Sequence, residues 1–202
     1  NYIVPLPKLS NVRTKAVTCN DIRGIAIICI ISKVFEHCFV ERFSAFLRSD
    51  DRQFGFKKGL GCTHAILSVR KIIDGITANG CTASICSLDL SKAFDKVNHC
   101  ALYIKLMQRN FPVELLELLE NWINNCSSCV KWRDVYSDFF KVSFGVRQGS
   151  VLSPFLFALY VNDIVNDRNC TSSAELILYA EDILLIFRGN ATKGCFTLLP
   201  SS

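Results

Sequence analysis

The sequence predicts an α+β protein, and three observations carry that reading. Leu176 to Phe187 is an apolar run interrupted once, by Glu181 and Asp182; its length suits a tight hairpin with the two acids at the tip. Thr82 to Leu88 is a second strand, and it ends on Asp89. Around and between these lie stretches whose apolar residues recur at helical spacing.

Composition sets the bounds. A chain of 202 residues, half of them apolar, has room for one large domain or one and a half ordinary ones and a sizeable core. A net charge of +5 permits a nucleic-acid partner without demanding one, and no dense Lys/Arg tail is present. The eleven cysteines are odd in number and irregular in spacing. Cys29, Cys38 and Cys86 sit in apolar runs, where free cysteine behaves as a small buried hydrophobe. With no signal peptide, the thiols are expected reduced and the protein intracellular, nucleus or cytoplasm unresolved. Cys126-Ser-Ser-Cys129 has metal-ligand spacing but lacks a second pair. No apolar run is long enough to span a membrane, so no membrane partner is expected; oligomeric state is not legible. The start at Asn1 and the close in Leu-Leu-Pro-Ser-Ser suggest a fragment.

In order along the chain, residues 1–24 read as irregular, with Pro5, Pro7 and scattered Lys and Arg, including Arg23. Ile25 to Ile31 is a buried strand or a helix start. A helix follows from Ser32, its possible N-cap, with Val34, Phe35, Cys38, Phe39, Phe43, Phe46 and Leu47 inward and Lys33, Glu36, Glu41, Arg42 and Arg48 outward. Gln53 to Gly61 holds three glycines, with Lys57 and Lys58 between them. Such a stretch can cradle phosphate, and a plain surface loop is an equal reading. Helices are expected over Thr63 to Ile76, Val97 to Arg109 and Pro112 to Asn124, with Asp95 as a cap. Strands are expected over Val130 to Val135 and Phe139 to Phe144. Gly145 to Pro154 then opens a helix running from Phe155 to about Val165; Asp167 to Ser173 is a polar loop, and 189–202 is an irregular tail.

On chemistry, Asp89 stands where a functional carboxylate would emerge from a sheet edge. Glu181 and Asp182 admit two readings, a solvated acidic turn or a cation site, because carboxylates beside apolar surface are costly without a partner.

Taken together, three segments resemble the reverse transcriptase domain of non-LTR (LINE-type) retrotransposons. Ser87-Leu-Asp-Leu-Ser-Lys-Ala-Phe-Asp-Lys-Val-Asn-His99 resembles that family's first palm motif, and Gly145-Val-Arg-Gln-Gly-Ser-Val-Leu-Ser-Pro-Phe-Leu-Phe157 its second. Tyr179-Ala-Glu-Asp182 stands where the family carries Tyr-Ala-Asp-Asp, and Gln53-Phe-Gly-Phe56 matches the fingers. The resemblance implies a right-hand polymerase fold without its thumb, with fingers over 1–80 and palm over 81–188. It implies RNA-directed DNA synthesis from deoxynucleoside triphosphates on an RNA template and DNA primer, with Mg2+ (or Mn2+) on Asp89, Glu181 and Asp182. It further implies nucleotide contacts from Arg23, Lys57 (or Lys58), Phe94, Gln148 and Gly149, Phe94 being the position that excludes a 2′-hydroxyl. Two departures stand out. Arg23-Gly24-Ile25-Ala26 replaces Arg-Pro-Ile-Ser, losing a rigid turn. Glu181 replaces the first paired aspartate, and a methylene of displacement is expected to impair catalysis. The alternative is a non-catalytic nucleic-acid-binding remnant.

Overall fold

The computed structural model describes residues 1–7, 18, 21–166 and 174–189. The basic residues Lys8, Arg13 and Lys15, the polar loop expected over 167–173 and the tail beyond Gly189 lie outside them. Strands are β1 (Tyr2–Pro7), β2 (Ile22–Ile27), β3 (Thr82–Asp89), β4 (Ser127–Trp132), β5 (Val135–Tyr136), β6 (Phe140–Lys141), β7 (Ala174–Tyr179) and β8 (Asp182–Gly189). Helices are α1 (Ile30–Arg42), α2 (Cys62–Ala78), α3 (His99–Gln108), α4 (Val113–Asn124), α5 (Ser153–Tyr160) and α6 (Asp163–Asn166). They fall into two compact units interleaved along the sequence: 1–49 with 92–160, and 50–91 with 161–202.

The first unit holds a sheet ordered β2-β1-β4-β5, with β6 also on β4. Its first strand is a departure from the sequence reading, because Tyr2–Pro7 pairs antiparallel with Ile22–Ile27 along its whole length. Prolines are tolerated there since β1 meets β4 only at Tyr2 and Ile3, so Pro5 and Pro7 have no second ladder to disrupt. Gly24 lies inside β2 opposite Pro5, not in a turn, so its departure from proline does not act on a turn.

The strand-or-helix ambiguity of Ile25 to Ile31 resolves as both. β2 ends at Ile27, and α1 starts at Ile30 with Cys29, not Ser32, as its N-cap. Asn98 caps α3, its side chain accepting from the Ala101 amide at 3.0 Å, and Asp95 falls instead in a short 3-10 turn over Phe94–Lys96. The first strand after α4 starts three residues earlier than alternation suggests, at Ser127, because Ser128 and Cys129 are buried, and the strand expected over Phe139 to Phe144 shrinks to Phe140–Lys141. Leu102, Leu106 and Leu119 make the helical core, and Phe157 of α5, 1 % exposed, stacks on Phe94 at 4.8 Å. The single long helix expected after Pro154 is broken: α5 stops at Tyr160 and α6 begins at Asp163.

The second unit holds the antiparallel sheet β3-β8-β7, with α2 packed on β3 and β7. Val165, Leu176, Leu178 and Ile183 form its core cluster. Asn162, buried at the break before α6, accepts from the Asp50 amide at 2.7 Å and so ties the two stretches of this unit together.

Cysteine burial also differs from expectation. Cys29 and Cys38 are exposed, Cys86 is half-buried, and Cys129 is the buried one among the described thiols. A helix in an apolar run still has an outward face, and Cys38 of α1 lies on it, while Cys29 is exposed at that helix's N-cap. Replacing Phe157 by Ala should cost about 3–5 kcal/mol, the range for emptying a buried aromatic site, read as a lowered urea midpoint with unchanged slope.

Candidate active site

The second unit places the acids by strand register. β3 and β8 pair antiparallel from Thr82 opposite Gly189 to Asp89 opposite Asp182, and β7 pairs with β8 from Ala174 to Tyr179. Tyr179, Asp182 and Asp89 therefore lie in one row across the sheet. Residues directly opposite on antiparallel strands share a face, with Cβ atoms ~4.5–5.5 Å apart. Asp89 and Asp182 are thus brought together, and both are exposed. Glu181, half-buried, sits in the turn between β7 and β8, off the ladder.

Like charges directly opposite repel, so this row is unfavourable without a cation. No group of three or more His, Cys, Asp or Glu able to hold a metal ion occurs among the described residues. A carboxylate pair nonetheless fits the chemistry of magnesium, which keeps several waters and takes one or two carboxylates, the rest coming from substrate phosphates. The donors are hard oxygens from two rigid strands, open to solvent, and suited to that partial coordination.

The turn that carries Glu181 is held from behind by the segment after Asp50. Ala180 has φ +55°, an unusual value for a residue with a side chain. Gln53, 1 % exposed, grips it twice: its Nε2 donates to the Ala180 carbonyl at 3.2 Å and its Oε1 accepts from the Ala180 amide at 3.0 Å. The same Oε1 accepts from the Gly55 amide at 2.8 Å. The Leu178 amide donates to the Arg52 carbonyl at 2.9 Å, and the Phe54 amide to the Leu178 carbonyl at 2.8 Å. Gly55 is required for the approach, because a Cβ there would lie 2.9 Å from the Ala180 Cα. Lys57 donates to the Asp50 carbonyl at 2.6 Å and lies 3.7 Å from Asp51. Asp50 is held below the usual carboxylate range, chiefly by its hydrogen bond from Arg52, and its burial opposes this.

The first unit assembles the Gly145-to-Ser150 loop. Gly145 (φ +83°) lies against the backbone of Phe94 and Asp95, where a Cβ would come within 2.9 Å of three atoms. The Val146 amide donates to the Phe94 carbonyl at 2.8 Å, and Gln148 Nε2 donates to Asp95 at 3.4 Å. Phe94 and Gln148 are therefore neighbours. The Gln148 carbonyl accepts from the Ala26 amide at 2.7 Å. Gly149 (φ +115°) presses against the Ala26 carbonyl, leaving no space for a side chain. Arg23, exposed, is three residues earlier on β2. Asp89, Glu181, Asp182 and Lys57 belong to one unit, and Arg23, Phe94, Gln148 and Gly149 to the other.

A family model described as reverse transcriptase (RNA-dependent DNA polymerase) matches residues 7–198. The chain belongs to the reverse transcriptase family. Its relatives include a probable RNA-directed DNA polymerase from transposon X-element of Drosophila melanogaster, 29 % identical over 82 % of this chain and 19 % of the relative. Another is the corresponding protein from transposon BS of the same organism, 27 % identical over 83 % of this chain and 19 % of the relative. The reverse transcriptase reading is thus of the non-LTR retrotransposon type, and the chain spans about a fifth of the length of these curated relatives. Among solved structures, an apo telomerase from Candida tropicalis aligns with TM-score 0.56 at 16 % identity, over 82 % of this chain and 41 % of that one. That likeness shows the fold, the α+β fingers-and-palm class of right-hand polymerases.

Two residues of the reverse transcriptase domain have buried roles that the local sequence does not give. Gln53 is an uncharged polar residue beside a charged stretch, and nothing local marks it as buried. Glu36 was placed on the outer face of α1, yet it is fully buried. A signal for it exists: Glu36 stands three before Phe39 and seven before Phe43, on their stripe.

Replacing Gly55 by Ala should push the brace off the turn and cost about 1–3 kcal/mol, the usual price of overpacking. Gln53→Ala should cost a similar ~1–3 kcal/mol by leaving the Ala180 amide and carbonyl unmatched. Chemical denaturation reads both, and amide exchange at Ala180 should accelerate in each.

Proposed function

We propose that this chain is the catalytic part of an RNA-directed DNA polymerase, extending a DNA primer on an RNA template with deoxynucleoside triphosphates. The observation that carries the proposal is the register setting Asp89 opposite Asp182. Fingers over 1–80 and palm over 81–188 follow from the family's motif order.

In this reading Asp89 and Asp182 hold magnesium or manganese, with Glu181 contributing from the turn. When bound, such ions lower the pKa of the primer 3′-hydroxyl and neutralise charge on the triphosphate. The protein's own part is positioning. The β3–β8 ladder fixes two carboxylates on one face, and Gln53 fixes the turn beside them. Phe94, held by its stack on Phe157, presents a rigid ring edge against the sugar, where an added 2′-hydroxyl would collide. Gln148 and the side-chain-free backbone of Gly149 contact the incoming nucleotide. Arg23 and Lys57 or Lys58 supply positive charge for the triphosphate. An RNA template, a DNA primer and deoxynucleoside triphosphates as partners support an intracellular reading; separately, no helix among the described residues is long and apolar enough to cross a membrane.

Glu181 weakens the site, since its extra methylene moves a carboxylate by about one bond length, and misplacement of ~1 Å can cost about a hundredfold. The test is primer extension on poly(rA)/oligo(dT) with dTTP and Mg2+ or Mn2+. Asp89→Asn should lower extension at least about a hundredfold, Glu181→Asp should raise it, and Phe94→Ala should admit ribonucleotides. Extension that survives Asp89→Asn would sink the catalytic reading. Salt-dependent duplex binding, unchanged by Asp89→Ala and with no extension even in Glu181→Asp, would establish the binding remnant instead.

A further inference from the structure

Glu36 is the most completely enclosed charge among the described residues, at 0 % exposure, and the polymerase chemistry above gives it no task. Its carboxylate gathers donors from three places. Oε2 accepts from the Ser150 hydroxyl at 2.8 Å, the Val151 amide at 2.7 Å and the Leu152 amide at 3.4 Å. Oε1 accepts from Trp122 Nε1 of α4 at 3.3 Å and lies 3.5 Å from Arg147 Nη2. Ser150 is itself a relay: its Oγ accepts from the Ser153 amide at 3.3 Å, at the first residue of α5.

The arrangement is an internal anion seated at the entrance of a helix. Amides at a helix start are unpaired donors carrying partial positive charge, and a carboxylate there is favoured. A buried carboxylate is tolerated only when hydrogen-bonded and charge-paired, and four hydrogen-bond donors with the Arg147 ion pair meet that condition. Arg147 contributes more than charge, since its guanidinium lies 5.9 Å from the Trp122 ring centre and is largely buried.

The location gives the device its meaning. Glu36 grips residues 147 and 150–152, while the Ala26 amide grips Gln148 and its carbonyl packs on Gly149. Gln148 and Gly149 are thus clamped between β2 on one side and the Glu36 carboxylate on the other. We infer that Glu36 is a positioning residue, which holds the Arg147-to-Leu152 loop in the one shape that presents Gln148 and Gly149 to an incoming nucleotide. The inference rests on the nucleotide-contact reading of Gln148 and Gly149.

The test uses the full chain carrying Glu36→Gln. The amide nitrogen of Gln cannot accept, so one of the two donor sets loses its acceptor and Arg147 loses its counter-charge. Ser150→Ala, which removes one donor and spares the carboxylate, is the milder second variant should Glu36→Gln fail to melt cooperatively. Two quantities are measured: hydrogen exchange at the Val151 and Leu152 amides, and dTTP affinity on poly(rA)/oligo(dT), with Gln148→Ala as reference. Expected are exchange at least about tenfold faster at both amides and dTTP affinity about tenfold weaker, with template–primer affinity within about twofold. Unchanged exchange overturns the inference. So does faster exchange with normal dTTP affinity when Gln148→Ala weakens dTTP, because Glu36 would then be structural only. Faster exchange with normal dTTP affinity in both Glu36→Gln and Gln148→Ala would leave the clamp standing and overturn the assignment of Gln148.

Discussion

The antiparallel register of β3 against β8 is the constraint on which the acidic site depends. Because side chains alternate faces along a strand, a slip of one residue would send Asp89 to the opposite face from Asp182. The register is set by what lies behind it. Leu176, Leu178 and Ile183 of the β7–β8 hairpin bury into the core cluster with Val165, and Leu90, the residue after Asp89, packs against the same cluster, so a slip of β3 would pull Leu90 away from it. Apolar burial thus enforces an arrangement that electrostatics alone opposes, two like charges side by side. Stability sacrificed locally at a site and recovered in the core is a recurring signature of function.

Both candidate regions share a design in which irregular backbone is over-determined by polar contacts from elsewhere in the same unit. The turn at Ala180 sits in a left-handed conformation held by the two ends of the Gln53 amide. The loop from Gly145 to Ser150 contains two glycines at positive φ, each pressed against backbone with no space for a Cβ. Glu36, the Ala26 peptide and the Phe94 carbonyl then fix what glycine alone would leave loose. Gly55, Gly145 and Gly149 thus serve close packing of chain on chain. The Gly-rich stretch at 53–61 carries a brace for the acidic turn within it.

The palm-like elements were legible because their signals are redundant. β3 ends on an acid, β7 and β8 form a tight hairpin, and Pro112 and Asn124 bracket α4 as composition suggests. The first strand was not, because two prolines in six residues argue against a strand unless its second partner is short. β4 was misplaced since Ser127, Ser128 and Cys129 carry little apolar signal, although Ser128 and Cys129 are buried. The long helix expected after Pro154 breaks where Asn162 turns to cap a distant amide, a tertiary contact that no local pattern contains. The bracing roles of Gln53 and Glu36 are illegible for the same physical reason: a buried polar residue is explained by partners distant in sequence.

Thermal melting of wild type and Asp89→Asn tests most directly the proposal that Asp89 and Asp182 are an unfavourable pair kept for a cation. In EDTA the variant is predicted to melt about 1–3 °C above wild type, because one of two facing charges is gone. Added Mn2+ should then raise the wild-type Tm and leave the variant nearly unmoved. A variant that melts at or below wild type in EDTA, and gains as much from Mn2+, would contradict it.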